Sequence, residues 1–292
     1  MLRIVRPERG EELLVNLGPQ REAIVSWNSN EVSGAIDLRV NAADGRTSAW
    51  LPYVAFTAGE RRSLCGHDTF VRIATDVIRS DVDFVSLGVR SRGDLAALAV
   101  STPDYGALSP IVALPAVDLD VPALSQYAGA APLERGWCAP ASLAMLLAYR
   151  GYPLDVATVA REVYDAAYGG TGNWAFNAAF AGTLGFRAAV VHLRDLEHAH
   201  AFLADDVPLA LSLAWRAGEL PGAALPASDG HLVVLRGIDA AGDALVNDPA
   251  RPSIAGAYPR AAFERAWLGH GGVAFAVVPA PRAAALVRLA NQ

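Results

Sequence analysis

The stretch RGWCAPASLAMLLAYRG, residues 135–151, contains one of the two cysteines of the chain. Cys138 follows a tryptophan and precedes an apolar run whose spacing predicts a helix over 138–150, with Pro140 in its first turn and Gly151 as its stop. A free cysteine is most often a buried core residue, but a helix N-terminus can also stabilise a thiolate. The stretch therefore allows two interpretations, a buried thiol or a nucleophile.

The residues after this helix predict two further helices and then a series of strands. Helical spacing of apolar residues continues over 153–167 and 173–184. Strand-like runs follow at FRAAVVHL (186–193), PLALSLAW (208–215), HLVVLRGI (231–238), DALVNDP (243–249) and GVAFAVV (272–278). Helices followed by strands are typical of an α+β domain, which we place at 119–280, with 281–292 as a C-terminal tail.

The first part of the chain, up to about residue 105, alternates apolar and polar residues. AIDLRVN (35–41) and FVSLGVR (84–90) show this alternation, and Asp44-Gly45 provides a turn signal between them. Such runs predict half-buried antiparallel strands, and several at short spacing predict a small β-sandwich. The proline-rich stretch 102–122 predicts a linker or an edge segment. We therefore expect a β-sandwich domain over 1–118.

Composition excludes several classes of function. Of the 292 residues, 53% are apolar and 18% charged, as in a globular protein with a well-packed core. The net charge of −6 argues against a nucleic-acid or anionic-membrane partner. The sequence contains no lysine, which excludes Schiff-base chemistry and a P-loop.

Targeting signals are not apparent in the sequence. The N-terminal stretch MLRIVRPERGEELLVNL carries several charges and no apolar h-region, so it does not predict a signal peptide. No run of about 18 apolar residues predicts a membrane span. We expect a soluble cytoplasmic protein, or a secreted one if a leader precedes Met1. No feature predicts an oligomeric state.

Metal and cofactor sites are not predicted either. Cys65 and Cys138 lie far apart, and two cysteines form neither a disulfide framework nor a zinc site alone. Cys65 is expected to be a structural thiol. His198 and His200 are two positions apart on a predicted surface helix, where such residues do not face each other.

A cysteine nucleophile needs a base, a group that orients the base and an oxyanion donor, and the chain offers a candidate for each. His231 opens the apolar strand HLVVLRGI, and Asp248 ends the next strand. Gln126, in VPALSQ, has an amide that could donate to an oxyanion together with the backbone N–H of Cys138.

These blocks resemble the papain-like cysteine peptidases of the bacteriocin-processing type, and more closely their relatives with a β-rich N-terminal domain. The resemblance extends over about 119–280 and includes VYDAAYGGTGNWAFN and RAAFERAWLGHGGVAF. It implies that Cys138 is the nucleophile, His231 the base, Asp248 the orienting residue and Gln126 the oxyanion donor. It also implies a papain-like fold, in which helices precede an antiparallel sheet.

Substrate contacts are expected next to the nucleophile. Trp137 precedes Cys138, and the glycine-rich segment YGGTGNW ends with Asn173 and Trp174, which we expect to form a substrate wall. The leading hypothesis is a thiol hydrolase that cleaves a peptide or amide bond. The alternatives are a papain-like protein that binds a peptide or glycan without turnover, and an acyltransferase that uses the same cysteine.

Two neighbours, Asn247 and Asp248, compete for the orienting role, because successive strand residues face opposite sides. In the hairpin between His231 and these residues, an even-numbered loop places Asp248 on the histidine face, and an odd-numbered loop places Asn247 there. A bulge reverses the outcome. The resemblance favours Asp248, so the sequence predicts an even-numbered turn or a bulge with the same effect.

Overall fold

The computed structural model describes residues 1–29, 31, 33–57, 60–104, 112–127 and 136–292. Within these ranges the backbone forms two antiparallel sheets and six α-helices. The mixed α and β architecture with antiparallel sheets agrees with the fold class predicted from the sequence.

The first sheet contains all eight strands of residues 2–101. They are β1 (Leu2–Val5), β2 (Glu12–Asn28), β3 (Gly34–Ala42), β4 (Leu51–Phe56), β5 (Arg61–Ser63), β6 (Val71–Ala74), β7 (Val77–Ser91) and β8 (Ala97–Ser101). Their order is β1-β8-β2-β7-β3-β4-β5, and β6 pairs with β7. One continuous sheet therefore takes the place of the two facing sheets of the predicted β-sandwich.

This sheet curls on itself as a half-barrel. The Tyr53 hydroxyl on β4 donates a 2.6 Å hydrogen bond to the Val25 carbonyl on β2, and the rings of Trp27 and Phe56 stack at 5.7 Å. Strands β7 and β3 lie between β2 and β4, and neighbouring strands are about 4.8 Å apart, so a flat sheet could not bring these side chains into contact. Register shifts along the 17-residue strand β2 provide the bend.

The second part of the chain supplies the other sheet and the helices. Its elements are β9 (Val117–Asp118), α1 (Cys138–Tyr149), α2 (Val156–Glu162), α3 (Trp174–Thr183), β10 (Phe186–His192), α4 (Leu196–Ala204), β11 (Leu209–Trp215), β12 (Ser228–Ile238), β13 (Ala244–Asn247), β14 (Ala255–Tyr258), α5 (Arg260–Leu268), β15 (Val273–Pro279) and α6 (Ala283–Ala290). The sheet order is β10-β15-β11-β12-β13-β14, and β9 pairs with β12. Each predicted helix and strand run has a counterpart here.

Helix α1 is the central element of this second part. All residues from Cys138 to Leu147 are buried, and the helix packs against β11, β12, α2 and α3. A helix that is apolar on every side belongs inside a core rather than on a surface. The start of α1 is consequently held in one position against β12.

The two parts of the chain share side-chain contacts. Phe176 of α3 meets Trp27 edge-on at 5.7 Å, and the Asn28 side chain donates to the carbonyls of Ala178 and Ala188 at 3.2 and 3.1 Å. The domain boundary at residue 118 remains a prediction. Of the predicted linker, residues 105–111 lie outside the described residues, whereas 117–118 form the edge strand β9.

Residues 281–292, expected to be a C-terminal tail, instead contribute the packed helix α6. Leu286 and Leu289 of this helix are buried in the same cluster as Leu2. The Asn291 side chain accepts a hydrogen bond from the Leu2 N–H at 2.8 Å and donates to its carbonyl at 2.9 Å.

Candidate active site

Cys138 is the first residue of α1 and is 8% exposed. The backbone N–H groups of Leu232 and Ala139 lower the pKa of its thiol. These donors, and the unpaired N–H groups at a helix start, favour the thiolate over the thiol.

His231 lies on β12, against which α1 packs, and is 2% exposed. Its ring interacts with the Cys138 thiol, and its Nε2 lies 2.7 Å from Oδ1 of Asp248. Because Nε2 is used by Asp248, Nδ1 is the ring nitrogen left for the sulfur. The indole of Trp215 meets the imidazole edge-on at 5.8 Å and helps to keep it out of solvent.

Asp248 is 1% exposed, and both of its carboxylate oxygens accept hydrogen bonds. Oδ1 accepts from His231 and from the Ala250 N–H at 2.9 Å, and Oδ2 accepts from the Tyr258 hydroxyl at 2.5 Å. A buried carboxylate with three donors can stay ionised.

The register of β12 and β13 places Asp248 on the histidine face. The turn between these strands has an odd number of residues, which by itself would select Asn247. A bulge next to Gly237 shifts the register by one residue, so Asp248 shares the face of His231. Asn247 points elsewhere, and its amide donates to the Val121 carbonyl at 2.9 Å. The second of the two predicted arrangements, a bulge, is the one found.

The three side chains shift one another's proton affinities. Burial by itself raises the pKa of Cys138, but the hydrogen bond and charge of His231 outweigh it and lower the pKa below its ordinary value. Burial lowers the pKa of His231, yet Asp248 and Cys138 together raise it above the ordinary value. Burial also opposes ionisation of Asp248, but His231 and Tyr258 keep the pKa of its carboxyl low. The arrangement favours a thiolate beside an imidazolium.

Gln126 is 4% exposed and is connected to the Asp248 segment through its backbone, since its N–H donates to the Pro249 carbonyl at 3.0 Å. Its Oε1 accepts no hydrogen bond from the part of the chain that the structure describes. The oxyanion role assigned to Gln126 stays a prediction.

Cys138 opens onto a cleft of about 930 Å³. The cleft is lined by Gly136, Trp137, Cys138, Ala160, Arg161, Tyr164, Tyr168, Gly169, Gly170, Thr171, Gly172, Trp174, Ser212, Asp229, Gly230, Leu232 and His270. Two of the three expected substrate residues, Trp137 and Trp174, are thus placed in the cleft wall beside the cysteine.

Asn173, the third expected substrate residue, lies behind this wall instead of on it. It is 1% exposed, its Oδ1 accepts from the Phe176 N–H at 3.2 Å, and its Nδ2 donates to Asp165 at 3.0 Å. Asn173 therefore caps α3, and the expected substrate contact is corrected to a structural role. Asparagine is a preferred N-cap residue, which the sequence could have shown.

Two residues of the site carry no motif that would have identified them. Tyr258 reaches Asp248 from β14, and Trp215 reaches His231 from β11. Both depend on strand pairing between distant segments. Their positions follow only once the register is known.

The remaining candidates lie outside this site. Cys65 is exposed, contrary to the expected structural thiol. His198 is buried and donates to the Leu289 carbonyl at 2.8 Å, so α4 is not simply a surface helix, whereas His200 donates to the Pro115 carbonyl at 2.9 Å. The described ranges contain no group of three or more histidine, cysteine or acidic side chains that could hold a metal ion.

A cysteine at the start of a buried helix, beside a histidine on the facing antiparallel sheet, is the arrangement expected for papain-like peptidases. The model of the Peptidase_C39 like family matches residues 118–275, more than half of the chain. The chain belongs to this family, which confirms the resemblance inferred from the sequence.

Solved structures that are similar to this chain include two peptidases. One is a protein from Bacillus anthracis described as a C39-like peptidase, with 22% identity and a TM-score of 0.44 over 56% of this chain and 98% of that one. The other is a double glycine motif protease from an AMS/PCAT transporter in complex with the leader peptide, with 23% identity and a TM-score of 0.39 over 56% and 94%. No curated protein matches the chain. The longest helix in the described ranges, α1, has 12 residues, fewer than a bilayer-spanning helix requires.

Proposed function

We propose that this protein is a cysteine peptidase in which Cys138 is the nucleophile, His231 the general acid and base, and Asp248 the residue that orients the imidazole. The observation that carries the proposal is the position of His231, which interacts with the Cys138 thiol and has its Nε2 2.7 Å from Asp248, with the sulfur at the edge of an open cleft. Membership of a peptidase family supports a peptide or amide substrate.

Acylation begins with attack of the Cys138 thiolate on the carbonyl carbon of the scissile bond, which moves a negative charge onto the carbonyl oxygen. The His231 imidazolium then gives its proton to the leaving nitrogen. The C–N bond breaks, the amine departs, and a thioester joins the substrate acyl group to the sulfur.

Deacylation uses the same groups in the opposite sense. His231 takes a proton from a water molecule, which attacks the thioester carbon. The C–S bond breaks, the acid product leaves, and the thiolate and the imidazolium are restored. Asp248 remains ionised throughout, because it holds the ring and does not take its proton.

The oxyanion of both steps requires donors near the sulfur. We assign this role to the backbone N–H of Cys138 and the side-chain amide of Gln126. Trp137 and Trp174 would contact the bound substrate, since both line the cleft beside the cysteine.

The pH dependence follows from the two pKa shifts. Activity should rise as Cys138 deprotonates, at a pH below that of an ordinary thiol, because His231 lowers the pKa of Cys138. Activity should fall only where His231 loses its proton, above the ordinary histidine value of 6.5. The result is a bell-shaped profile with a broad plateau.

Thiol labelling and peptide cleavage test the proposal together. In a Cys65→Ser background, iodoacetamide should alkylate Cys138 faster at pH 6 than it alkylates a free cysteine peptide, and His231→Ala should remove the advantage. Wild-type protein should release new peptide N-termini from a mixed peptide pool, and Cys138→Ala should release none.

Three outcomes would contradict the proposal. Alkylation of Cys138 no faster than the free peptide would remove the activated nucleophile. Transfer of acyl groups to added amines without release of acid would indicate an acyltransferase. Retention of peptides by a reactive protein that forms neither product would indicate a binding protein.

A further inference from the structure

Four of the side chains that line the cleft are tryptophan or tyrosine, and we call Trp137, Tyr164, Tyr168 and Trp174 the aromatic wall. Tyr164 and Tyr168 are 47% and 57% exposed. Large aromatic side chains grouped at the surface of a concave site are typical of binding surfaces, because the protein gains nothing from leaving them in water.

The glycine-rich segment lets Tyr168 lie flat against the backbone. A Cβ at Gly170 would come within 2.9 Å of the Tyr168 ring, and Gly169 adopts a φ of +72°, a conformation that favours glycine. The ring therefore packs close to the glycine-rich segment where that segment lines the cleft.

A buried carboxylate beneath the aromatic wall holds it in place. Oδ1 of Asp165 accepts hydrogen bonds from the N–H groups of Ser63, Ala167 and Tyr168, at 3.1, 3.0 and 3.3 Å. Its Oδ2 accepts from Asn173 at 3.0 Å. Ser63 belongs to β5, so the edge of the first sheet supports the wall.

Two more contacts tie the wall at its ends. The Thr171 hydroxyl donates to the Gly136 carbonyl at 2.8 Å, next to the residues that carry the nucleophile. The Trp174 N–H donates at 2.8 Å to Asp76, in the turn between β6 and β7, and the Trp174 ring meets His270 edge-on at 6.3 Å. A surface fixed at several points is formed before any ligand arrives, which lowers the entropic cost of binding.

The rest of the cleft is mostly uncharged. Among the described residues that line it, Arg161 and Asp229 are the only arginine or acidic side chains. Ser212, on β11, is 2% exposed, and its hydroxyl has no hydrogen-bond partner in the described ranges. An unpaired buried hydroxyl in a cleft lined by aromatic rings suits an apolar ligand with a polar group to satisfy.

We propose that the aromatic wall is a subsite for a large apolar or aromatic side chain of the peptide substrate, adjacent to the scissile bond. The proposal rests on the proposed function. The aromatic wall and Cys138 line the same cleft, so a peptide bound for cleavage at Cys138 would also contact the aromatic wall. A volume of about 930 Å³ holds several residues, and glycines alone would leave the exposed rings uncovered.

Cleavage of matched peptides provides the first test. Blocked decapeptides of alternating serine and glycine would carry one central variable residue, Phe, Leu, Ala or Gly, and mass spectrometry would locate the cleaved bond. We expect cleavage within two bonds of the central Phe or Leu, with kcat/KM at least tenfold higher for Phe than for Ala. Tyr168→Ala should reduce this ratio by about 2- to 12-fold, as expected for loss of one aromatic pair.

A binding measurement tests the subsite independently of peptidase activity. The same peptides, labelled with fluorescein, would be titrated with the Cys138→Ser variant, which cannot turn them over by thiol catalysis. We expect tighter binding of the Phe peptide than of the Ala peptide, and loss of that difference in the Cys138→Ser/Tyr168→Ala double variant. If the wild-type protein cleaves no peptide but the Phe peptide still binds more tightly than the Ala peptide, the proposed peptidase activity is refuted and the proposed subsite is supported.

Two matched variants serve as controls. Tyr168→Phe keeps the ring and should keep the preference. Tyr152→Ala removes another exposed tyrosine, which is 42% exposed and lies outside the cleft lining. This variant should not change the preference for the Phe peptide over the Ala peptide. Equal affinity of the Phe and Ala peptides, or an equal loss of preference in Tyr152→Ala and Tyr168→Ala, would overturn the proposed subsite.

Discussion

The Tyr258 hydroxyl donates a 2.5 Å hydrogen bond to one carboxylate oxygen of Asp248, while the other oxygen accepts from His231. The two donors come from different strands, β14 and β12, on either side of β13. The carboxylate is therefore fixed from two directions. A buried charge held in this way costs less free energy than one with a single partner.

Tyr258→Phe should weaken this support while keeping the ring that stacks on Phe263 at 6.4 Å. With one donor fewer, the pKa of Asp248 rises. Asp248 then loses its charge at a higher pH on the acid side, which removes support for the His231 imidazolium and through it for the Cys138 thiolate, so the acid limb of the kcat/KM profile should move to higher pH. The free energy of unfolding should fall by about 1.5–3 kcal/mol, the range for a hydrogen bond to a charged group. Rate profiles and urea unfolding measure the two effects, and an unchanged acid limb would argue against this positioning role.

Substitution of the neighbours Asn247 and Asp248 should have unequal effects. Asp248→Ala removes the partner of His231 and should lower kcat/KM by roughly 10³- to 10⁴-fold. Asn247→Ala breaks the contact to the Val121 carbonyl, so it should lower the melting temperature more than it lowers turnover. Comparable losses of kcat/KM in both variants would refute the assignment of the orienting residue.

Gln126→Ala should lower kcat/KM by roughly 10²- to 10³-fold, as when one oxyanion donor is removed. The backbone hydrogen bond to Pro249 is kept in the variant, so the melting temperature should change little. Gln126→Glu is the matched control, because it preserves shape but loses the N–H donor, and it should be equally impaired. A large fall in melting temperature with normal turnover would make Gln126 structural.

Much of the site could be predicted because local sequence determines it. The apolar run after Cys138 defines α1, and alternation in HLVVLRGI defines the strand that carries His231. The choice between Asn247 and Asp248 depended on a bulge beside Gly237. A bulge of this kind arises from strand pairing and leaves no clear signal in one sequence.

The parts that could not be predicted depend on contacts between distant residues. Alternation identifies strands but does not state whether they form one curled sheet or two, which here depends on packing such as that of Trp27 on Phe56. The supporting role of Asp165 is also hidden, because its partners Ser63 and Asn173 are brought together only by the fold.

A second buried carboxylate, Asp76, connects the first sheet to the start of α3. It is 6% exposed, and it accepts a hydrogen bond from the Trp174 N–H at 2.8 Å. Burial raises the pKa of Asp76 to about 7, the backbone donors at α3 oppose the shift, and the charge of Asp165 adds to it. The proton is thus held more tightly in the folded protein than in the unfolded chain.

This shift makes stability fall as pH rises from about 4 to 7, because between these values the folded state binds a proton that the unfolded state has lost. An increase in pKa from 3.8 to about 7 corresponds to roughly 4 kcal/mol at neutral pH. Asp76→Asn keeps an oxygen that can accept from Trp174 but cannot ionise. The stability of the variant relative to wild type should therefore increase with pH across this window.

Urea unfolding at pH 4.5, 5.5, 6.5 and 7.5 measures the free energy of unfolding of Asp76→Asn and of wild type, and their difference at each pH. Asp155→Asn is the matched control, since Asp155 is an exposed N-cap on α2 whose pKa is lowered by Thr158. The Asp155 carboxylate is ionised in both the folded and the unfolded state above about pH 4, so its contribution to stability no longer changes with pH. The difference in free energy of unfolding between Asp155→Asn and wild type should therefore stay constant. Parallel profiles for Asp76→Asn and wild type would show that the buried carboxylate does not titrate in this range.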